Sequence, residues 1–293
     1  MRPDSARTSE AKRCLASRRP LDTVAAAASA LALALTLTGA ALPKGTERAH
    51  VRRVLDGDSV LLTDGNEVRY LGINADEADD PFSEKARTFN RRLVEGKQVQ
   101  LAGDRERHDR YGRILAYVYV GDQFVNAELV RAGLAHLFVF GPLREEPTLA
   151  ALQREARAGQ RGMWGPGGPT GPLKITSPRS RYRPSPRVRA VTVCNISDDE
   201  IDLEGFSIEA DRRRFRFPRS RIRAGHVTLI IMSKGKDYLT GPGTRRFHWP
   251  DGLPSGTIEP ATLTLRSPTG EVIDRVRLPT STSREDPKHQ SEL

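Results

Sequence analysis

Apolar positions between residues 47 and 165 fall in short runs broken by polar turns. Residues 51–55, 59–62 and 67–73 read as strands, with turn signals at Asp56-Gly57 and Asp64-Gly65 between them. The period then changes. Ser83 reads as a helix N-cap, Ala86, Phe89 and Leu93 follow at helical spacing, and Gly96 is the stop. Residues 99–102 and 114–120 return to strand character, and Gly121-Asp122 turns the chain into 123–125. Asn126 reads as the cap of a short helix that stops at Gly133, and Leu149, Leu152 and Ala156 mark a third helix fading before Trp164. About five strands with interposed helices in this length fit a small closed barrel.

Beyond it the pattern breaks and then resumes. Residues 166–187 are rich in Pro, Gly, Ser and Arg, as in Gly165-Pro166-Gly167-Gly168-Pro169, and read as a semi-stiff basic linker. Apolar or alternating runs at 188–195, 201–208, 214–217, 227–232, 261–265 and 272–278 are separated by turns and predict an antiparallel sandwich over 188–279. Residues 280–293 read as a disordered tail.

At the other end, residues 24–42 contain no ionisable side chain and follow Arg2, Arg7, Lys12, Arg13, Arg18 and Arg19. A positive flank, an apolar stretch and the small residues Thr38, Gly39, Ala40 and Ala41 form the pattern of an export signal. The stretch is also just long enough to be an uncleaved anchor. Either outcome places residues 47–293 outside the cytoplasm, since positive flanks stay inside. The expected location is extracellular, secreted or held on the outer membrane face by residues 24–42. Cleavage leaves Cys194 as the single cysteine, so no internal disulfide is expected.

Charge and composition narrow the classes. Two cysteines in 293 residues exclude a disulfide-stapled miniprotein, and 37% hydrophobic with 29% charged residues argue against a multi-span membrane protein or a wholly disordered chain. A net charge of +10 suggests nucleic-acid binding until it is mapped. Residues 1–46 hold 7 basic and 3 acidic side chains, 47–165 hold 18 and 19, and 166–293 hold 22 and 15. The barrel segment is therefore close to neutral, and the excess lies at the ends.

Within that neutral segment, Asp56-Gly57-Asp58-Ser59, Val68-Arg69-Tyr70-Leu71-Gly72-Ile73, Glu77, and the run from Asp109-Arg110-Tyr111-Gly112-Arg113 to Ile114-Leu115-Ala116-Tyr117-Val118 occur in order. Val125-Asn126, Leu129-Val130, Gly133-Leu134-Ala135 and Gly162-Met163-Trp164 follow. This series resembles the staphylococcal-type thermonuclease family. The resemblance implies a mainly β OB-fold barrel over 47–165 and hydrolysis of phosphodiester bonds in DNA and/or RNA, with Ca²⁺ as cofactor.

Phosphodiester hydrolysis needs a cation, a base to activate water, and donors for the five-coordinate transition state. Asp58 offers a hard oxygen ligand. Glu77 can accept the water proton, as the family's matching glutamate is held to do. Arg69 and Arg113 carry planar, permanently charged forks suited to phosphate oxygens. Tyr111 and Tyr117 can pack against a base or sugar, with core packing as the other reading. Taken singly, Asp-Gly-Asp is a good turn and Arg69 an ordinary cross-strand charge. Their co-occurrence in family order raises the catalytic reading.

One stretch departs from the family. Where the resemblance implies an acidic calcium ligand, Thr and Pro before the glutamate, this chain has Asn74-Ala75-Asp76-Glu77. Asn74 keeps a carbonyl oxygen but not the charge, Ala75 still offers its main-chain carbonyl, and Asp76 adds a carboxylate as an auxiliary ligand. Losing the proline frees φ at position 76. Calcium binding is expected to be weak, which is workable at extracellular concentrations of roughly 10⁻⁴ to 10⁻³ M.

The second half resembles the lamin-tail domain, an immunoglobulin-like β-sandwich. The likeness rests on Val191-Thr192-Val193-Cys194-Asn195, Ile201-Asp202-Leu203-Glu204-Gly205-Phe206-Ser207-Ile208, Phe215-Arg216-Phe217-Pro218, Ile222-Arg223-Ala224-Gly225, Leu263-Thr264-Leu265 and Gly270-Glu271-Val272-Ile273-Asp274. No catalytic constellation stands out there; His226 and His248 are isolated, and Cys194 reads as a buried apolar residue. Strand alternation puts Arg214 and Arg216 on one face and Phe215 and Phe217 on the other. That basic face suits nucleic acid, an anionic membrane or an acidic wall polymer, and no obligate protein partner is evident. The resulting expectation is an exported calcium-dependent nuclease with an accessory module. The alternative is a non-catalytic nucleic-acid-binding or surface adaptor, favoured by Asn74 and opposed by the retention of Asp58, Arg69, Glu77 and Arg113.

Overall fold

The first alternating runs become β1 (Glu47–Val54), β2 (Ser59–Leu62), β3 (Glu67–Tyr70) and β4 (Ile73–Ala75), followed by α1 (Ser83–Val94) and β5 (Gln98–Ala102). Next come β6 (Ile114–Val120), β7 (Gln123–Phe124), α2 (Val125–Arg131), β8 (Ala135–Leu137), α3 (Glu146–Ala158) and a 3-10 turn at Gly162–Trp164. The computed structural model describes residues 46–76, 81–169, 171–177, 190–210, 212–232, 234–240, 244–250 and 262–277. The export segment expected at 1–46 and the tail at 280–293 fall outside the described residues, apart from Thr46. Among the described residues no helix is long and apolar enough to cross a membrane.

Strands run β3-β2-β1-β5-β6, and β3 pairs in parallel with β6 through Val68↔Ile114, Arg69↔Leu115 and Tyr70↔Ala116. That last ladder closes a five-stranded barrel, with β7 hairpinned onto β6, consistent with an OB-fold. Val51, Val54, Val60, Val68, Val99 and Val118 fill its interior.

Two local readings change. The run expected to continue from 67 to 73 breaks at Leu71-Gly72, where Gly72 adopts φ +76°, and resumes as β4 paired with β8 instead of the barrel. Asn126 lies inside α2 and caps nothing: it is fully buried, its Oδ1 accepts from Val118 N at 3.0 Å, and its Nδ2 donates to Leu71 O at 2.9 Å. A buried amide that satisfies two backbone groups, one within β6 and one just after β3, is worth more there than a cap on solvent.

Two glycines join the end of the barrel region to α2. Gly133 takes φ +67° and Gly162 φ +52°; a Cβ on Gly133 would stand 2.0 Å from Arg161 O, and one on Gly162 2.2 Å from Gly133 O. Met163 N donates across the same contact to Gly133 O at 2.8 Å. Gly133→Ala is therefore expected to lower the unfolding free energy by about 2 kcal/mol or more, from left-handed strain plus the clash, measured by urea denaturation.

The second half comprises β9 (Leu173–Ser177), β10 (Ala190–Asn195), β11 (Ile201–Asp202), β12 (Ser207–Ala210), β13 (Arg213–Arg216) and β14 (Arg221–Ile222). After them come β15 (Val227–Ile231), β16 (Tyr238–Thr240), β17 (Thr244–His248), β18 (Thr262–Arg266) and β19 (Val272–Arg277). One sheet runs β16-β17-β15-β10-β9 and another β13-β12-β18-β19, with β11 and β14 as a separate pair. Ile175, Val193, Ile230 and Phe247 from the first sheet share one core with Ile208, Phe215, Leu263 and Leu265 from the second.

This half departs from a purely antiparallel arrangement, because β15 and β17 pair in parallel. The chain leaves β15, forms β16 on the outer side and hairpins back into the gap as β17. The run at 201–208 divides into β11 and β12 around Gly205 at φ +85°. β9 lies inside the stretch read as linker: Leu173 and Ile175 face the core between flanking Pro and Gly signals that masked the alternation. All described residues belong to one compact unit.

Candidate active site

The Asp56-Gly57-Asp58 turn packs against Ala75 of β4 and Ala86 of α1. A Cβ on Gly57 would lie 2.4 Å from that of Ala75 and 2.7 Å from that of Ala86, so glycine is required here for space. Asp56 Oδ1 accepts from Asp58 N at 3.0 Å and shapes the turn. Asp58 is thereby buried against β4. Its Oδ1 accepts from Ser59 Oγ at 3.1 Å and its Oδ2 from Ala75 N at 2.6 Å. Arg69 Nη2 lies 3.2 Å from the same Oδ2. Burial pushes the Asp58 carboxyl up to about 6 despite the opposing pull of Arg69, with Asp56 adding a smaller rise.

Arg69 reaches from β3 to tie this cluster together. Nη1 donates to Tyr70 O at 2.7 Å and Ile73 O at 2.8 Å, the two carbonyls that flank the Leu71-Gly72 break, and Nη2 donates to Asn74 Oδ1 at 2.9 Å. Asn74 Nδ2 in turn donates to Ala75 O at 3.1 Å. Behind it His136 of β8 is fully buried, and its Nδ1 donates to Leu137 O at 2.9 Å. Its Nε2 faces Asn74 Nδ2 at 3.5 Å. Asp58, Asn74 and Ala75 thus present their oxygens within one connected cluster.

Arg113 stands immediately before β6, whose Ile114 pairs with Val68 next to Arg69. Asp109 aims it: Oδ2 accepts from Arg113 Nε at 2.7 Å, while Oδ1 accepts from the main-chain N–H of Tyr111 at 2.8 Å and of Arg113 at 3.0 Å. Tyr111 is exposed, with the Arg110 and Arg113 guanidinium groups 4.8 and 5.7 Å from its ring centroid. Tyr117 corrects the expectation of a substrate contact. It is fully buried, its hydroxyl donates to Asp104 Oδ2 at 2.8 Å, and its ring packs edge-on to Phe124 at 5.9 Å, so it is a core residue. Glu77, the expected base, lies outside the described residues.

Residues 67–166 match the family described as staphylococcal nuclease homologue. A thermonuclease of Staphylococcus intermedius is 34% identical over 124 residues, which is 39% of this chain and 74% of that protein. A protein of Escherichia coli named an uncharacterized endonuclease is 37% identical over 126 residues, 42% of this chain and 80% of its own length. The chain belongs to the staphylococcal nuclease family. Endonuclease YncB of Bacillus subtilis is a further relative, 33% identical over 128 residues, 40% of this chain and 61% of that protein.

The family match spans Arg69 and Arg113 but begins after Asp58, so the place of Asp58 in this staphylococcal nuclease homologue rests on its contacts with Arg69 and Ala75. One carboxylate with two neutral oxygens is a donor set of the right chemistry for a hard cation, although a low-charge one. Among the described residues no group of three or more His, Cys, Asp and Glu is placed to hold a metal ion. Asp76, the expected auxiliary ligand, is buried, and its Oδ1 lies 3.1 Å from Lys174 Nζ of β9.

Far from this cluster in sequence, Arg214 and Arg216 are exposed on β13 while Phe215 and Phe217 are buried. Arg214 pairs with Glu209, which also accepts from Arg266 Nε at 2.6 Å and is held below the usual carboxylate range by these partners, Arg266 foremost. Sequence reading passed over two residues at the site. His136 had only a position in a short apolar run to mark it, and Lys174 stood in a stretch read as linker.

Proposed function

We propose that the chain is an exported, calcium-dependent nuclease acting on DNA and/or RNA, with Asp58, Asn74 Oδ1 and the Ala75 carbonyl as calcium ligands. As a member of the staphylococcal nuclease family it hydrolyses phosphodiester bonds. The observation that carries the finer reading is the Arg69-centred cluster, which gathers one carboxylate and two neutral oxygens beside a guanidinium. Bound there, calcium would neutralise phosphate charge and polarise the ester. Arg69 and Arg113 supply phosphate donors, and Glu77 the base that takes the proton from water. Tyr111, exposed beside Arg113, is the aromatic suited to a base or sugar.

The remaining parts rest on sequence. Export follows from the pattern at residues 24–42, and the lamin-tail likeness suggests an immunoglobulin-like accessory module whose Arg214 and Arg216 face suits nucleic acid or another anionic surface. A second reading, a barrel that only holds polyanions, draws support from Asn74, which leaves the oxygen cluster with a single carboxylate. Hydrolysis of single-stranded DNA and of RNA across a calcium titration separates the two. Activity is expected to rise into the millimolar range, and Glu77→Gln to lower it by about 10² to 10⁴-fold. A wild-type rate equal to that of Glu77→Gln at tens of millimolar calcium overturns the enzyme reading.

A further inference from the structure

The second half of the chain touches the site itself. β4, which supplies Asn74 and Ala75, is paired with β8 through Ile73↔Leu137, Asn74↔His136 and Ala75↔Ala135. The residues just after β8 then bond to the second half: Val139 N donates to Gly225 O at 2.9 Å, and Val227 N to Val139 O at 3.2 Å. Gly225 is glycine for a reason, since a Cβ there would lie 2.2 Å from Leu137 Cδ2. Cys194 of β10 is fully buried against the same strand, its Sγ donating to Leu137 O at 3.4 Å, and Arg157 Nη1 of α3 donates to Ile196 O at 2.7 Å. This is a core-like seam, not the loose contact of a tethered module.

Lys174 crosses that seam. It pairs with Cys194 in the β9–β10 ladder, and its ammonium lies 3.1 Å from Asp76 Oδ1. The Lys174 side chain is 11% exposed and that of Asp76 3%. A surface lysine and aspartate at this distance would contribute little, but here both charges are buried, where breaking the pair by removing one partner is costly. Asp76 directly follows the two proposed ligands Asn74 and Ala75 and directly precedes Glu77.

We propose that Lys174 is a positioning residue of the active site, supplied by the second half of the chain, and that its ion pair with Asp76 fixes the backbone of the adjoining residues Asn74 and Ala75, the proposed metal ligands. This inference rests on the nuclease reading above. A proline at position 76 would fix φ covalently; this chain holds the same point by a tertiary charge pair. The second half is then part of the catalytic unit as well as an accessory.

The full-length chain tests this with two double variants that both remove the buried charges. Lys174→Met with Asp76→Asn deletes both charges of the pair, and Lys174→Met with Asp76→Pro deletes them while restoring a fixed φ. With both folded by thermal melting, the first is expected to lose at least tenfold in kcat with KM within about twofold, as small misplacements at an active site do. The second is expected to recover most of that loss. In calcium-free protein, exchange of the Ala75 amide, which donates to Asp58 Oδ2, should quicken at least tenfold in the first variant and return in the second. Wild-type kcat and exchange in the first variant, or no recovery in a folded second variant, overturn the positioning role. A wild type inactive at saturating calcium instead defeats the nuclease reading, and the exchange comparison still decides whether Lys174 fixes this backbone.

Discussion

Arg69→Lys is expected to lower kcat on single-stranded DNA by about 10² to 10³-fold at saturating calcium, the loss typical of a transition-state donor. Lysine keeps the charge, so long-range attraction of phosphate is nearly unchanged. What it loses is geometry. Arg69 spans the carbonyls of Tyr70 and Ile73, the Asn74 side-chain oxygen and the Asp58 carboxylate with two terminal nitrogens of one planar group. An ammonium has one nitrogen, which can serve the Leu71-Gly72 break or the Asp58 side but not both. The variant should also shift the calcium midpoint upward, because Asn74 and Asp58 lose their common partner. Steady-state kinetics across a calcium titration, with a melt to show the fold is intact, checks both effects; a kcat within tenfold of wild type rules out the role given to Arg69.

The barrel could be read from sequence because its strands are short and independently bounded: 59–62 and 114–120 coincide with β2 and β6, which adjoin Asp58 and Arg113 and flank the strand that carries Arg69. What escaped was set by tertiary contact. Gly72, at φ +76°, is the point where one strand becomes two, but the strand that β4 then pairs with, β8, lies far along the chain. Asn126 has the composition of a cap and the environment of a core residue, and only the backbone groups of Val118 and Leu71 explain why. The largest omission was β9. A five-residue strand between Pro and Gly signals looks like linker, and the partner that gives Lys174 its meaning is 98 residues away at Asp76. Within the near-neutral barrel segment, Arg69 is held by backbone carbonyls and Arg113 by Asp109.

Asp58→Asn is expected to abolish the calcium response, lowering activity by about 10³-fold, and at the same time to stabilise the calcium-free protein at neutral pH. The two effects share one cause. Asp58 is the only carboxylate in the proposed ligand set, so its loss leaves three neutral oxygens for a hard cation. Yet its charge is unfavourable in the calcium-free fold, where burial raises its pKa from the ordinary 3.8 to about 6. A carboxyl that holds its proton more tightly folded than unfolded adds stability below the unfolded pKa, and that contribution is lost as pH rises through the folded one. The wild type should therefore lose stability between about pH 4 and 6 from this group. An amide at this position does not titrate and escapes the loss. Its oxygen would still accept from Ala75 N, and its NH₂ would face the Ser59 hydroxyl, which can rotate to accept. The gain at pH 7 is expected to be on the order of 1 to 3 kcal/mol, since the raised pKa is already net of the attraction to Arg69. Urea denaturation without calcium at about pH 4.5 and about pH 7.5 measures it: the two proteins should differ little at the lower pH and clearly at the higher. Added calcium should raise the wild-type midpoint by mass action and leave that of the variant unmoved. A variant less stable than wild type at the higher pH would mean that Arg69 outweighs burial and that the Asp58 charge is favourable even without metal.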